Sequence, residues 1–318
     1  MCGVSAPARP ADAKPTSWVD RAPLFAQPYL RLSRFDRPIG FWLLVIPCWQ
    51  GQFLGRVDIG FGVIDLALFV LFAVGAIVMR GAGCTYNDVV DAEIDAKVVR
   101  TAGRPIPSGQ VSKRQAFIWI ALQCAVGLAV LLALPQLAQI VALCAIPLVA
   151  AYPFMKRITW WPQAWLGLTF NWGILVGYAA VRGEIDLTAV VLYAAAIAWT
   201  IGYDTIYALQ DIEDDAMVGV RSTARLFGDN ASVWITRFYG AAAGLALVAA
   251  FLAGHVIWFL PLFALYGVLL WRQITQVELG NTARLLLLFK SNREAGLALS
   301  AALFVQALVP WLLEGLFY

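Results

Sequence analysis

The chain has 318 residues, of which 61% are hydrophobic and 14% charged, well below the roughly 25% charged share of an average soluble domain, so a soluble globular fold is excluded. A net charge of +3 without a basic run offers no track for a phosphate backbone, and no nucleic-acid partner is expected. Five cysteines, Cys2, Cys48, Cys84, Cys124 and Cys144, are odd in number and form no C-x-x-C pair, which excludes a disulfide framework and a zinc site.

Residues 1–29 are rich in Ala, Pro and Ser and lack the apolar stretch of a signal peptide, so they are expected to be a disordered tail before a membrane domain spanning 30–318. Nine apolar runs follow, at 38–54, 63–86, 115–134, 137–154, 162–181, 187–209, 231–254, 256–271 and 295–316. A helix crosses the hydrocarbon core in about 20 apolar residues, and unsatisfied backbone is not tolerated there, so these runs are predicted as membrane spans of an all-α protein. The third and fourth, parted by Pro135, predict a tight helical hairpin.

With the N-terminus inside, the outer loops keep only Arg56 and Arg182, while Lys97, Arg100, Arg104, Lys113, Arg114, Lys156, Arg157, Arg221, Arg225, Arg272, Arg284, Lys290 and Arg293 fall inside. That asymmetry is the positive-inside bias, and it puts the C-terminus outside. Arg80 and Arg237 lie within spans near their inner ends, where long side chains snorkel. The expected setting is a bacterial inner membrane with the C-terminus periplasmic.

Two acidic clusters end up on the inner side. Asp88, Asp91 and Asp95 in "NDVVDAEID" share a helical stripe with Asn87 at its edge; Asp204, Tyr207, Asp211 and Asp214 or Asp215 extend a similar stripe in "YDTIYALQDIEDD". Their four-span separation, each with an arginine close behind, hints at a duplicated four-helix unit. Like charges on one face repel unless a cation lies between them, and carboxylates without His or Cys nearby favour Mg²⁺ with a phosphate completing its shell. Arg100, Arg104, Lys156 and Arg221 are placed to meet the remaining phosphate oxygens. Plain surface pairing with lipid headgroups explains one D-x-x-D better than it explains two in-phase clusters. For Tyr152 and Lys156 in "YPFMKR", an interfacial belt and a site role weigh equally.

"NDVVDAEID" and "DIEDD" resemble the two aspartate motifs of the UbiA family of intramembrane aromatic prenyltransferases. With "FDRPIGFWLL", "MRGAGCTYND", "RTAGRPIPSG" and "YPFMKR", they resemble the branch that prenylates 4-hydroxybenzoate in ubiquinone biosynthesis. The resemblance implies nine helices around a central cavity, and Mg²⁺ bridging the acids to a polyprenyl diphosphate. Asn87, Asp88, Asp91, Asp95, Asp211 and Asp215 become the metal and diphosphate set, with Asp214 contributing. Where the family often has lysine before "ST", this chain has Arg221, which keeps the charge. Asp204 or Asp211 is the candidate base; Arg37 and Arg157, with Tyr152, are candidates for the acceptor and its carboxylate. The same fold with a haem, menaquinone or chlorin acceptor is the alternative enzyme, and a membrane transporter the alternative class. A transporter would place charges at mid-depth, and a phosphotransferase acting on CDP-activated lipids would carry D-G-x-x-A-R; neither pattern occurs here.

Overall fold

A computed structural model describes residues 17–97, 101–217 and 219–314, with the side chains of residues 214 and 215 also outside the description. Every regular element among the described residues is helical. Among the described residues, seven helical segments are long and apolar enough to cross a membrane: Ile64–Val90, Lys113–Leu132, Gln136–Ile158, Pro162–Arg182, Leu187–Ala208, Thr223–Ala253 and Thr282–Glu314. Two shorter apolar helices, Ile39–Gly55 and Leu260–Thr275, occupy the stretches predicted as the first and eighth spans. The chain divides into two compact units, one made of residues up to Phe41 with Val74–Val130, the other of Trp42–Ala73 with Leu131–Tyr318.

The first unit opens with a 3-10 turn, Trp18–Arg21, closed by a capping box: the Ser17 hydroxyl accepts from Val19 N at 3.2 Å and the Asp20 carboxylate accepts from Ser17 N at 2.8 Å. Helix α1, Gln27–Leu32, follows. Regular structure thus begins ahead of residue 30, where the sequence predicted it; residues 1–16 of the expected tail lie outside the described residues. Helix α2 is Ile39–Gly55, α3 Ile64–Val90, α4 Ala92–Asp95 and α5 Lys113–Leu132, and the unit boundary falls within α2, α3 and α5.

The second unit continues with α6 Gln136–Cys144, α7 Ile146–Ile158, α8 Pro162–Phe170, α9 Gly173–Arg182, α10 Leu187–Ala208, α11 Ile212–Met217, α12 Thr223–Phe227, α13 Ala231–Ala253, α14 Leu260–Thr275, α15 Thr282–Lys290 and α16 Asn292–Glu314. The chain breaks between α5 and α6 at Pro135, which occupies the N-cap position of α6. The predicted eighth span starts late, because His255 (φ +51°) and Gly254 (φ +87°) take positive φ and a 3-10 turn at Val256–Trp258 precedes Pro261. Helix α15 lies where a loop was expected. Its nine residues form the start of the Thr282–Glu314 segment and bury Leu285 and Leu288.

Glycines let backbones touch where α2 meets α9. A Cβ on Gly51 would strike the Ile174 carbonyl, and one on Gly177 the Cys48 carbonyl, which is the close small-residue packing that membrane helices use in place of a hydrophobic drive. Only 11% of the most apolar stretch of α5 is buried, against 72% for α10, so α5 turns its side chains to lipid while α10 is core. Polar groups inside are bonded to one another: Trp199 Nε1 donates to Asn292 Oδ1 at 2.9 Å, Tyr239 OH to Gln273 Oε1 at 2.6 Å, and Asn171 Nδ2 to Thr200 Oγ1 at 2.7 Å.

Candidate active site

In the first unit, the loop after α4 is folded on itself. Arg104 N donates to Thr101 O at 2.9 Å, Ser108 N to Arg104 O at 3.0 Å and Val111 N to Pro105 O at 3.0 Å, and Gly109 supplies a φ of +76°. Thr101 Oγ1 donates to the Asp95 carbonyl at 2.9 Å. Beneath the loop, Ile106 and Val111 bury against Leu32, Val89, Ala92 and Ala116. That packing, with Pro105 and Pro107 restricting the backbone, delivers Arg104 to the acids.

There a single nitrogen, Arg104 Nη1, donates to Asp88 Oδ1 at 3.2 Å and to Asp95 Oδ2 at 2.8 Å. Arg34 Nη2 donates to the same Asp88 Oδ1 at 2.6 Å. Arg34 stands at φ +60°, a conformation that costs a non-glycine residue of the order of 1–3 kcal/mol and that is retained where surrounding structure demands it. Asp88 is fully buried, and its second oxygen, Oδ2, has no hydrogen-bond partner among the described residues. Burial pushes the Asp95 carboxyl above its ordinary value; the Arg104 guanidinium draws it back, and the negative charges of Asp88 and Asp91 add to the rise.

The acidic stripe does not run along one continuous helix. It breaks at Asp91, which lies between the end of α3 and the start of α4, its N–H still bonded to Asn87 O at 2.9 Å. In the second unit α10 ends at Ala208 and α11 starts at Ile212, so Asp211 likewise sits at a break, its N–H donating to Ala208 O at 3.1 Å. Three or four carboxylates on one uninterrupted face would repel, and periodicity alone does not reveal the bend. Among the described residues no three carboxylate, imidazole or thiol groups are gathered as a cation cage. Arg100 and the side chains of Asp214 and Asp215 lie outside the described residues.

The segment behind the second acidic cluster is stapled to α7, α8 and α10. Arg221 N donates to Lys156 O at 2.9 Å, Thr223 N to Gln163 Oε1 at 3.0 Å, and the Thr205 and Thr223 hydroxyls meet at 2.7 Å. Tyr207 packs against Phe289 with ring centroids 4.6 Å apart, one turn from the half-buried Asp204. Lys156, Arg157 and Tyr152 lie on α7, with Arg157 exposed. The Arg221 guanidinium is directed onto Ile158 O, at 2.6 Å, and the Trp160 ring.

Within the first unit, a cavity of about 320 Å³ is lined by Arg34, Arg37, Arg80, Trp18, Phe41 and Ile77, among others. Arg80 lies against Gly40, where a Cβ would collide with its guanidinium. Sequence reasoning assigned Arg37 a site role, Arg34 none and Arg80 only that of a snorkelling residue. The signal for Arg34 was its three-residue spacing from Arg31 and Arg37. Arg80 gave one too, as a charge nearly two helical turns inside an apolar run.

The UbiA prenyltransferase family model matches residues 57–293. The chain belongs to the UbiA prenyltransferase family. Relatives within it include the mitochondrial 4-hydroxybenzoate polyprenyltransferase of Rattus norvegicus, 43% identical over 88% of this chain and 75% of that one. Those of Homo sapiens (42%, 88% and 75%) and Arabidopsis thaliana (43%, 89% and 70%) bear the same name. The apo structure of a UbiA homolog from Aeropyrum pernix K1 matches with a TM-score of 0.70 at 26% identity, covering 84% of this chain and 98% of that one. A UbiA homolog from Archaeoglobus fulgidus bound to GPP and Mg²⁺ shares the fold at a TM-score of 0.64 and 18% identity, covering 87% and 99%.

The UbiA relatives correct the expected location. They are mitochondrial proteins of animals and a plant, which points to a mitochondrial membrane rather than a bacterial inner membrane. The physical reason for the miss is that the Lys/Arg asymmetry orients a chain across a membrane without saying which membrane it is.

Proposed function

We propose that this chain transfers the prenyl group of a polyprenyl diphosphate to the ring carbon ortho to the hydroxyl of 4-hydroxybenzoate, in ubiquinone biosynthesis. The observation that carries this reading is the 43% identity, over 88% of the chain, to a relative bearing that activity as its name. The bond between the prenyl C1 and its bridging oxygen breaks, its electron pair leaving on diphosphate. Asp204 or Asp211 is the candidate carboxylate to take the phenol proton, and the ring carbon that bonds to C1 gives up its own proton to the oxygen as the phenol is regained.

The donor chemistry fits Mg²⁺: Asp88, Asp91 and Asp95 fall within eight positions of the sequence, and Asp88 Oδ2 is buried with no hydrogen-bond partner among the described residues. By their sequence motifs we assign Asp88, Asp91 and Asp95 as the carboxylates that would hold Mg²⁺ in the first unit, and Asp211, Asp214 and Asp215 as those that would hold Mg²⁺ in the second. When bound, Mg²⁺ supplies positive charge to the departing diphosphate. Arg104 and Lys156, with Asn87, hold the diphosphate and neutralise charge as it develops there; Arg100 belongs to the same set by sequence. Arg221 is assigned no diphosphate contact, since Ile158 O and Trp160 engage its guanidinium.

The acceptor's carboxylate is assigned to the arginine-lined cavity, through Arg37 and Arg80; its volume is at the lower end of the range for small-molecule sites. Exposed Arg157 is the weaker choice. Arg80→Ala removes a charge-assisted contact of about 1.5–3 kcal/mol, so KM for 4-hydroxybenzoate is expected to rise about ten- to a hundredfold, with little change for the prenyl diphosphate. Gly40→Ala, which displaces Arg80, is expected to move the same KM in the same direction. A normal KM for 4-hydroxybenzoate in Arg80→Ala would remove the acceptor from this cavity.

The test of the whole reading is direct. Purified protein in detergent, given Mg²⁺, labelled 4-hydroxybenzoate and a set of polyprenyl diphosphates, is expected to yield a product heavier by one prenyl group. EDTA abolishes that product and added Mg²⁺ restores it. Prenylation of a different acceptor, with 4-hydroxybenzoate left untouched, would reassign the enzyme.

A further inference from the structure

A stretch that the sequence assigned to a tail forms a wall of the arginine-lined cavity in the first unit. Trp18 lines that cavity, and it stands on the 3-10 turn Trp18–Arg21. The turn is pinned at several points. Val19, next to Trp18, is fully buried, and the Asp20 carboxylate accepts from Arg31 Nη2 at 3.2 Å. Gln27 Nε2 donates to Ala22 O at 2.9 Å and to Asp20 O at 3.3 Å, while its Oε1 accepts from Arg31 Nη2 at 3.2 Å, and both Gln27 and Arg31 are buried. The Trp18 indole meets the Phe35 ring edge-on, with centroids 5.9 Å apart and planes at 76°. It nevertheless stays 57% exposed, an unusual state for so large an apolar group on so firm a mount.

Resting on the assignment of this cavity to the acceptor, we propose that Trp18 binds the acceptor's ring and makes the site prefer a planar aromatic acid over a saturated one. The lining divides into two chemistries: Arg37 and Arg80 on one hand, and Trp18, Phe35, Phe41 and Ile77 on the other. A carboxylate attached to an apolar ring needs both. Aromatic rings attract one another through their quadrupoles, in offset or edge-on geometry, beyond what burial of apolar area supplies, and a saturated ring of the same size forgoes that part. Phe35 and Trp18 already stand edge-on, so a third ring could join them without rearranging either. Because the turn is fixed by its capping box and by Arg31 and Gln27, little freedom is lost when the indole receives a ligand.

The experiment is equilibrium dialysis of the purified full-length chain in detergent, with Mg²⁺ and an unreactive prenyl thiolodiphosphate present. The two labelled ligands are 4-hydroxybenzoate and trans-4-hydroxycyclohexanecarboxylate, which carries the same carboxylate and hydroxyl on a saturated ring. Wild type is expected to hold the aromatic acid about three- to tenfold more tightly. Trp18→Ala should bring that ratio close to one while leaving the thermal unfolding midpoint unchanged, since the side chain it removes is largely exposed. Trp18→Phe should keep most of the preference. Arg80→Ala should weaken both acids alike and leave their ratio as it was, because both carry the carboxylate. If Arg80→Ala changes neither affinity, the acceptor lies elsewhere and the role of Trp18 falls with the cavity assignment. If Arg80→Ala weakens both acids but Trp18→Ala preserves the aromatic preference, the cavity stands and Trp18 is an interfacial anchor only. A wild type without aromatic preference, or a Trp18→Phe variant as impaired as Trp18→Ala, would also overturn the proposal.

Discussion

Asp88→Ala is expected to abolish prenyl transfer and to destabilise the protein, two effects that Asp88→Asn should separate. In the native chain the Asp88 carboxylate is buried and neutralises two guanidiniums, Arg34 at 2.6 Å and Arg104 at 3.2 Å. Truncation removes that shared counter-charge, although Arg104 keeps Asp95 at 2.8 Å, at a cost of up to about 3–5 kcal/mol, the scale for breaking a buried pair. Asparagine keeps the shape and one acceptor oxygen but no charge, so most of the fold should survive while both the metal ligand and the counter-charge are lost. Turnover of Asp88→Asn should fall by about a hundredfold or more, the scale for removing one strong electrostatic contact from a reacting site. Thermal unfolding in detergent and single-turnover product formation measure the two quantities. Near-native turnover in Asp88→Asn would remove this residue from the chemistry and leave it a structural counter-ion.

Arg104→Ala should raise KM for the prenyl diphosphate at least about tenfold while changing that for 4-hydroxybenzoate little, because a charge-assisted contact to phosphate contributes roughly 1.5–3 kcal/mol. It should also loosen the site, since the nitrogen that holds Asp88 and Asp95 together would be gone. Arg104→Lys keeps the charge as a compact point without the planar fork, and an intermediate KM is expected. Kinetics with each substrate varied in turn decide between roles. Equal losses toward both substrates would mean that Arg104 serves only to order the acidic segment.

Much of the site was legible because its chemistry is local in sequence. Asp88, Asp91 and Asp95 recur at helical spacing, "RTAGRPIPSG" follows within a few residues, and the apolar runs have membrane length. Three features were not. The bends at Asp91 and Asp211 depend on how repelling charges are accommodated, which a periodic pattern does not encode. Arg34 is 54 positions from Asp88, and its approach depends on a positive φ no propensity would predict. Arg80 read as a snorkelling side chain because its neighbours in space, Gly40 and Arg37, lie about forty residues away in sequence.

The sequence by itself therefore determined the membrane class, the positions of most helices, the two acidic clusters and the family, because each of these is written in hydropathy or in motifs of adjacent residues. Only the tertiary structure decided which cation meets which acid: that Arg34 and Arg104 share Asp88, that Arg37 and Arg80 line one cavity, and that Arg221 turns to Trp160 and Ile158. Charge pairing is set by distance and burial, and over long separations in the chain those are fixed by packing alone.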